Sequence, residues 1–314
     1  MTATSTATPS ALSRIKLFWA LSRMTHGLLD MATPAAAALL CLGAMPSMQV
    51  IVLGFVTAFA GYTAVYALND VVDYRVDKEK IATGRLGSAA GDLDGVYVRH
   101  PMAQGLLNYR EGVLWSLGWA LVALLGAYAL NPVCALIFVA GSLLEVIYCL
   151  LLRISHLRTF VSGVVKTSGA VAAVFAVNPD PPWIFLVLLF AWLFLWEIGG
   201  QNVPNDWVDV EEDLEIQAKT VPVRYGVEGS LRIILYTLTI SVFLSIILYW
   251  ATPARLHPIY LLGVATAGSL LLLVPAYRLY TGRTPQLASA LFNRSSYYPL
   301  TLLLVLVISS VMAG

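Results

Sequence analysis

The chain has 314 residues, 59% of them hydrophobic and only 12% charged, with a formal net charge of +1 and a mean hydropathy of +0.77. That much apolar residue excludes an ordinary soluble domain and implies a polytopic membrane protein embedded in a lipid bilayer. The near-zero charge gives no basis for a nucleic-acid partner.

Residues 1–9 form a polar Ser/Thr/Ala tail, and the basic, amphipathic stretch 11–26 precedes any apolar run, so it is predicted to lie along the membrane surface rather than to act as a cleavable signal. Residues 1–26 are therefore set apart from a single transmembrane domain over 27–314. Apolar runs near 20 residues predict nine transmembrane helices, at about 27–45, 49–69, 113–130, 132–152, 159–178, 182–203, 231–251, 257–278 and 295–313. The expected fold class is an all-α polytopic membrane helix bundle. Cys41, Cys134 and Cys149 fall in separate runs without paired spacing, which argues against both a disulfide framework and a thiolate metal site.

Two of the connections, 70–112 and 204–230, are long and charged, and both follow even-numbered spans, so they emerge on one face. That face carries nearly all the Lys and Arg, while the opposite face carries Arg255, so the positive-inside rule predicts that it is cytoplasmic. The first connection opens with Asn69, Asp70, Asp73 and Asp77; the second repeats them 136 positions later as Asn205, Asp206, Asp209 and Asp213. In helical form each set puts its carboxylates at i, i+3 and i+7, within roughly 60° of one another. Three acids on one face repel and call for a cation. The repetition also implies pseudo-repeated halves.

Carboxylates from two helix ends supply hard oxygen ligands for Mg²⁺, which keeps several waters and is completed by phosphate oxygens. Asp70, Asp73, Asp77, Asp206, Asp209 and Asp213 are the candidate metal ligands, on either side of a diphosphate. The glycine-rich stretch 82–95 in the first connection is a candidate lid over the site. Glu197, Gln201 and Asn205 at i, i+4 and i+8, with Asn202 beside Asp206, form a polar stripe leading up to the second cluster. Polar groups are costly in lipid, so the stripe is expected to face a cavity and to bind substrate. Lys166 and Glu145 on neighbouring spans are expected to neutralise each other, and Asp30 is expected near a solvated interface.

On its nine spans, its paired acid motifs and the tail of the second, Lys219-Thr220-Val221-Pro222-Val223-Arg224-Tyr225-Gly226, the chain resembles the UbiA superfamily of intramembrane prenyltransferases. The resemblance covers nearly the whole chain. It implies a helical bundle that holds an isoprenyl diphosphate through Mg²⁺ and transfers the prenyl group to an acceptor substrate. By position, Asn69 and Asn205 accompany the two motifs, and Tyr148 with Arg153 resembles the family's tyrosine and basic residue near the end of the fourth span. The family's arginine after the first motif has its nearest match in Arg99, within Arg99-His100-Pro101 and after an insertion.

Ionising an allylic diphosphate leaves a delocalised cation and a highly charged leaving group, so the site must neutralise one and shelter the other from water. Lys80, Arg153 and Lys219 are candidates for the diphosphate, and Tyr66 and Tyr148 for steadying the cation; Asp73 and Asp209 are assigned to catalysis at the centres of their motifs. The predicted activity is prenyl transfer to an aromatic quinone precursor. Alternatives are a lipid or phosphorylated-sugar acceptor, a terpene cyclase of the superfamily, and a divalent-cation transporter. The last is disfavoured because both clusters sit at span ends among basic residues, not at mid-membrane helix breaks.

Overall fold

The computed structural model describes residues 11–82, 93 and 97–313. Among the described residues there is no strand, and nine helices are long and apolar enough to cross a membrane: Met24–Leu42, Met48–Ala82, Tyr109–Leu130, Pro132–Arg153, Arg158–Val177, Trp183–Val208, Val221–Ala251, Ile259–Gly282 and Pro285–Ala313, spans one to nine. A short helix, Ala11–Leu21, precedes span one. The chain is thus an all-α, multi-pass integral membrane protein. The tail at 1–9 and most of the candidate lid at 82–95 lie outside the described residues.

Local chemistry sets several boundaries. Asn131 ends span three through its backbone N–H to Ala127 O (2.9 Å). It also starts span four, its side chain accepting from Val133 N at 2.9 Å, with Pro132 in the first helical turn where a missing N–H costs nothing. Asn108 and Glu111 form a reciprocal capping box at the start of span three. Along that span Leu114, Leu117, Leu121 and Leu125 are exposed at helical spacing, a stripe that lipid covers.

Consecutive spans pack side by side, and span one closes the bundle by packing against both span five and span nine. The main core runs through spans six to nine, where Trp192 meets Tyr298 edge-on at 6.3 Å between ring centroids.

Spans two, six, seven and nine are longer than their apolar runs. Span two continues to Ala82, so the first acid motif lies on helix rather than loop. A helix satisfies its own backbone, so charge does not stop it at the membrane surface. At 35 residues it is about 52 Å long against about 30 Å of hydrocarbon, so roughly two fifths of it exceeds that thickness. Residues 204–215 and 221–230 are also largely helical, with a kink at Gly226 (φ 65°), a conformation that favours glycine.

Span six contains a widened π-helical turn, Glu197–Asn202, in which Val203 N–H reaches back five residues to Ile198 O. Pro204 follows and cannot donate; the Gly200 carbonyl four residues before it accepts instead from Ser295 Oγ of span nine. This irregular turn sits directly before the second acid motif.

Candidate active site

The first motif presents Asp70, Asp73 and Asp77 to one cavity from successive turns of span two. The loop before span three brings His100 between two of them, its Nδ1 2.9 Å from Asp77 Oδ2 and 3.5 Å from Asp70 Oδ1. His100 holds a left-handed backbone (φ 49°), uncommon outside glycine, to reach there. Arg23 lies 3.6 Å from Asp70 and donates to Asn69 Oδ1, whose amide in turn donates to Glu145 Oε1 (2.7 Å).

The second motif enters the same cavity from span six. Its helix breaks at Asp209 (φ −94°, ψ 9°) and resumes as Val210–Glu215, so Asp206, Asp209 and Asp213 come from two short helices at an angle. Each has a cation: Arg158 lies 3.7 Å from Asp206, Arg99 3.1 Å from Asp209, and Lys80 3.2 Å from Asp213. Lys80 belongs to span two and so ties the motifs together. Arg158 stacks on the Tyr148 ring at 4.0 Å, and the Tyr148 hydroxyl accepts from Asn202 Nδ2 at 3.1 Å.

The cavity, about 180 Å³, is lined by all six motif aspartates and by Tyr66, Asn69, Lys80, Arg99, Tyr148, Glu197, Gln201, Asn202 and Asn205. Two expected residues are elsewhere. Arg153 is exposed and pairs with Glu79 at 2.6 Å, because the chain turns at 151–153 and points it away. Lys219 does not line the cavity; its backbone N–H donates to Leu152 O (2.7 Å), anchoring the strap before span seven. Sequence reasoning missed Arg23, His26, His100, Arg158, Ser162 and Phe292, which also line it. Arg158 read only as one more surface cation at a span start, and His100 only as part of a displaced string.

Two expectations, one of pairing and one of solvation, are corrected. Lys166 does not pair with Glu145; its Nζ donates to Asp30 Oδ2 (2.5 Å) and to Tyr66 OH (2.8 Å). Asp30 is not solvated but fully buried, and also accepts from Tyr66. Span one is inserted between spans five and nine, which brings Asp30 to Lys166 ahead of any residue on span four. The three cysteines are free and buried, as expected of packing residues.

Burial alone would pull the His100 imidazolium down, but the Asp77 and Asp70 carboxylates outweigh it and hold its pKa at about 10. Burial pushes Asp213 up, against the Lys80 ammonium beside it and with Asp209 adding to the rise. The donor set fits Mg²⁺. It consists of aspartate oxygens from two helices that line one cavity, and Asp206 Oδ2 is buried with no hydrogen-bond partner. The flanking cations suit a ligand that brings phosphate oxygens of its own.

The sequence pattern of the UbiA prenyltransferase family matches residues 31–297. A 4-hydroxybenzoate octaprenyltransferase of Aliivibrio salmonicida is 25% identical over 263 residues, 82% of this chain and 84% of that protein. A digeranylgeranylglyceryl phosphate synthase of Methanosarcina mazei is 24% identical over 253 residues, 79% of each. Among solved structures, a UbiA homologue from Aeropyrum pernix K1 superposes with a TM-score of 0.71 at 19% identity, covering 90% of this chain and 97% of that one. A UbiA homologue from Archaeoglobus fulgidus bound to GPP and Mg²⁺ gives 0.65 at 17% identity, covering 93% and 99%. Likeness at these identities shows the shared fold.

Proposed function

Since the chain belongs to the UbiA prenyltransferase family, we propose that it transfers a prenyl group from its diphosphate to an aromatic quinone precursor, with Mg²⁺, at the cavity between spans two and six. The observation that carries this is the convergence of two acid clusters, each interleaved with cations, on one cavity. Acids alone would suit a metal path; acids with Arg158, Lys80 and Arg23 suit a metal-bound diphosphate.

Asp70, Asp73 and Asp77 on one side and Asp206, Asp209 and Asp213 on the other would hold Mg²⁺, which when bound offsets the charge of the departing diphosphate. Arg158 and Lys80 bind the leaving diphosphate directly, and preorganised cations of this kind stabilise charge as it develops. One face of the Tyr148 ring is covered by Arg158, so Tyr148 is assigned to positioning that guanidinium. Asn69 donates to Glu145 and Asn202 to the Tyr148 hydroxyl, which fixes both side chains on the cavity wall. The surrounding spans exclude water, which would otherwise capture the allylic cation. The basic face that carries the site is proposed to be cytoplasmic.

The relatives include enzymes named for 4-hydroxybenzoate and for a glyceryl phosphate, and the similarity to the second supports, as a second reading, transfer to a glyceryl phosphate lipid. Both are tested by offering radiolabelled geranyl diphosphate and Mg²⁺ to the protein in liposomes, with 4-hydroxybenzoate or geranylgeranylglyceryl phosphate. The proposal expects prenylated 4-hydroxybenzoate, lost on chelation and in Asp73→Ala and Asp209→Ala. Product from the lipid alone moves the assignment to the second reading, and a cyclic hydrocarbon formed without acceptor overturns both.

A further inference from the structure

Beyond the acid clusters the cavity lining continues to a floor, reaching Tyr66 about one helical turn before Asp70 on span two and Glu197 about two and a half turns before Asp206 on span six. An allylic tail needs apolar surface, and this floor is polar: Lys166, Ser162, Glu197 and Gln201 all border it. Most of its groups are satisfied by one another. Lys166 is engaged by Asp30 and Tyr66, and Gln201 donates to Phe292 O at 3.3 Å and to Ser295 Oγ.

Glu197 is the exception. It is 5% exposed, its Oε1 accepts from Ser162 Oγ at 2.8 Å, and its Oε2 is buried with no hydrogen-bond partner. Asp70, Asp206, Asp209 and Asp213 each face a cation within ion-pair distance, whereas among the described residues Glu197 makes no ion pair. An acceptor oxygen left unmatched in an apolar membrane interior is costly, and groups retained there at such cost bind something. The widened turn that Glu197 opens also carries Gln201 and Asn202, and both line the cavity wall.

We propose that Glu197, braced by Ser162, is the acceptor-binding residue: its Oε2 accepts a hydrogen bond from a hydroxyl group of the acceptor, so the site selects hydroxyl-bearing acceptors. The inference rests on the prenyl-transfer reading above and adds to it the part of the substrate that is recognised and the residue that recognises it. A site built to bond a hydroxyl discriminates steeply against the analogue lacking it, because the protein's own buried group is then left unpaired.

The test uses the full-length protein in detergent, with Mg²⁺ and geranyl diphosphate present, and two pairs of probes that differ in one hydroxyl: 4-hydroxybenzoate against benzoate, and geranylgeranylglyceryl phosphate against its deoxy analogue. Wild-type protein should bind the hydroxylated member of one pair about tenfold or more tightly than its partner. In Glu197→Leu that ratio should fall towards one while the affinity for geranyl diphosphate stays unchanged. Glu197→Gln, close to isosteric, should retain part of the ratio and keeps the test open if the leucine variant does not fold. Ser162→Ala, which frees Oε1, should change the ratio less than Glu197→Leu. The proposal is overturned if Glu197→Leu and Glu197→Gln keep the wild-type ratio, or if the wild type itself shows no preference in either pair. Loss of Mg²⁺-dependent geranyl diphosphate binding in the wild type would instead overturn the prenyl-transfer reading.

Discussion

Arg158 and Asp206 face each other with side chains only 7% and 8% exposed, so each helps offset the other's burial, with the Tyr148 ring adding to Arg158. Breaking a buried pair from one side leaves an uncompensated charge, at a cost of about 3–5 kcal/mol. Arg158→Ala is therefore expected to lower thermal stability and weaken geranyl diphosphate binding, whereas Arg158→Lys keeps the charge but loses the flat stack on Tyr148 and the bidentate fork. The lysine variant should recover most of the melting temperature but not the affinity, by thermal shift and calorimetry; equal recovery of both would show that the guanidinium shape is irrelevant. At this scale the sequence was legible where residue types repeat: all six motif aspartates reach the cavity. It was not legible for Arg158, because its value comes from contacts on two other spans, Tyr148 on span four and Asp206 on span six, that only the packing brings to it.

The loop that carries Arg99 and His100 supplies a cation to each acid cluster, Arg99 to Asp209 and His100 to Asp77 and Asp70. These cations compete with Mg²⁺ for the same oxygens. His100→Ala is expected to tighten Mg²⁺ binding measured by calorimetry without prenyl diphosphate, since removing a competing cation raises the affinity of the acids for another; weaker binding would instead make His100 a ligand. The widened turn of span six is a second element-scale device. A Cβ on Gly199 would fall 2.1 Å from Thr237 Oγ1 and 3.1 Å from the Ile234 carbonyl of span seven. Gly199→Ala should destabilise by about 1–3 kcal/mol through overpacking, read as a lower melting temperature; an unchanged one would mean that the turn yields freely. Arg99 was legible as a site residue through the resemblance, whereas the placement of His100 and the widened turn were not. The two motifs have the same spacing, yet one lies on a continuous helix and the other breaks at Asp209, a difference that the spacing does not carry.

For the whole molecule, the nine apolar runs and the common face of both motifs were legible because lipid imposes length and polarity on every crossing. Helix ends were legible less well. Span two outruns its apolar stretch, since leaving hydrocarbon does not require leaving the helix. The packing order, with span one between spans five and nine, has no signal along the chain, and for that reason Asp30 and Lys166 were paired with the wrong environments. The proposed sidedness can be checked with single exposed cysteines: in intact cells a membrane-impermeant maleimide should label Arg255→Cys and spare Arg153→Cys, and the reverse pattern would invert the topology.

The central claim is that the two acid clusters form one site rather than two. It is tested most directly by calorimetric titration of geranyl diphosphate with Mg²⁺ into wild-type protein, Asp70→Asn/Asp77→Asn and Asp206→Asn/Asp213→Asn. A single shared site predicts one diphosphate per chain in the wild type and loss of Mg²⁺-dependent binding in either double variant. Two equivalents in the wild type, with one surviving in each variant, would contradict it.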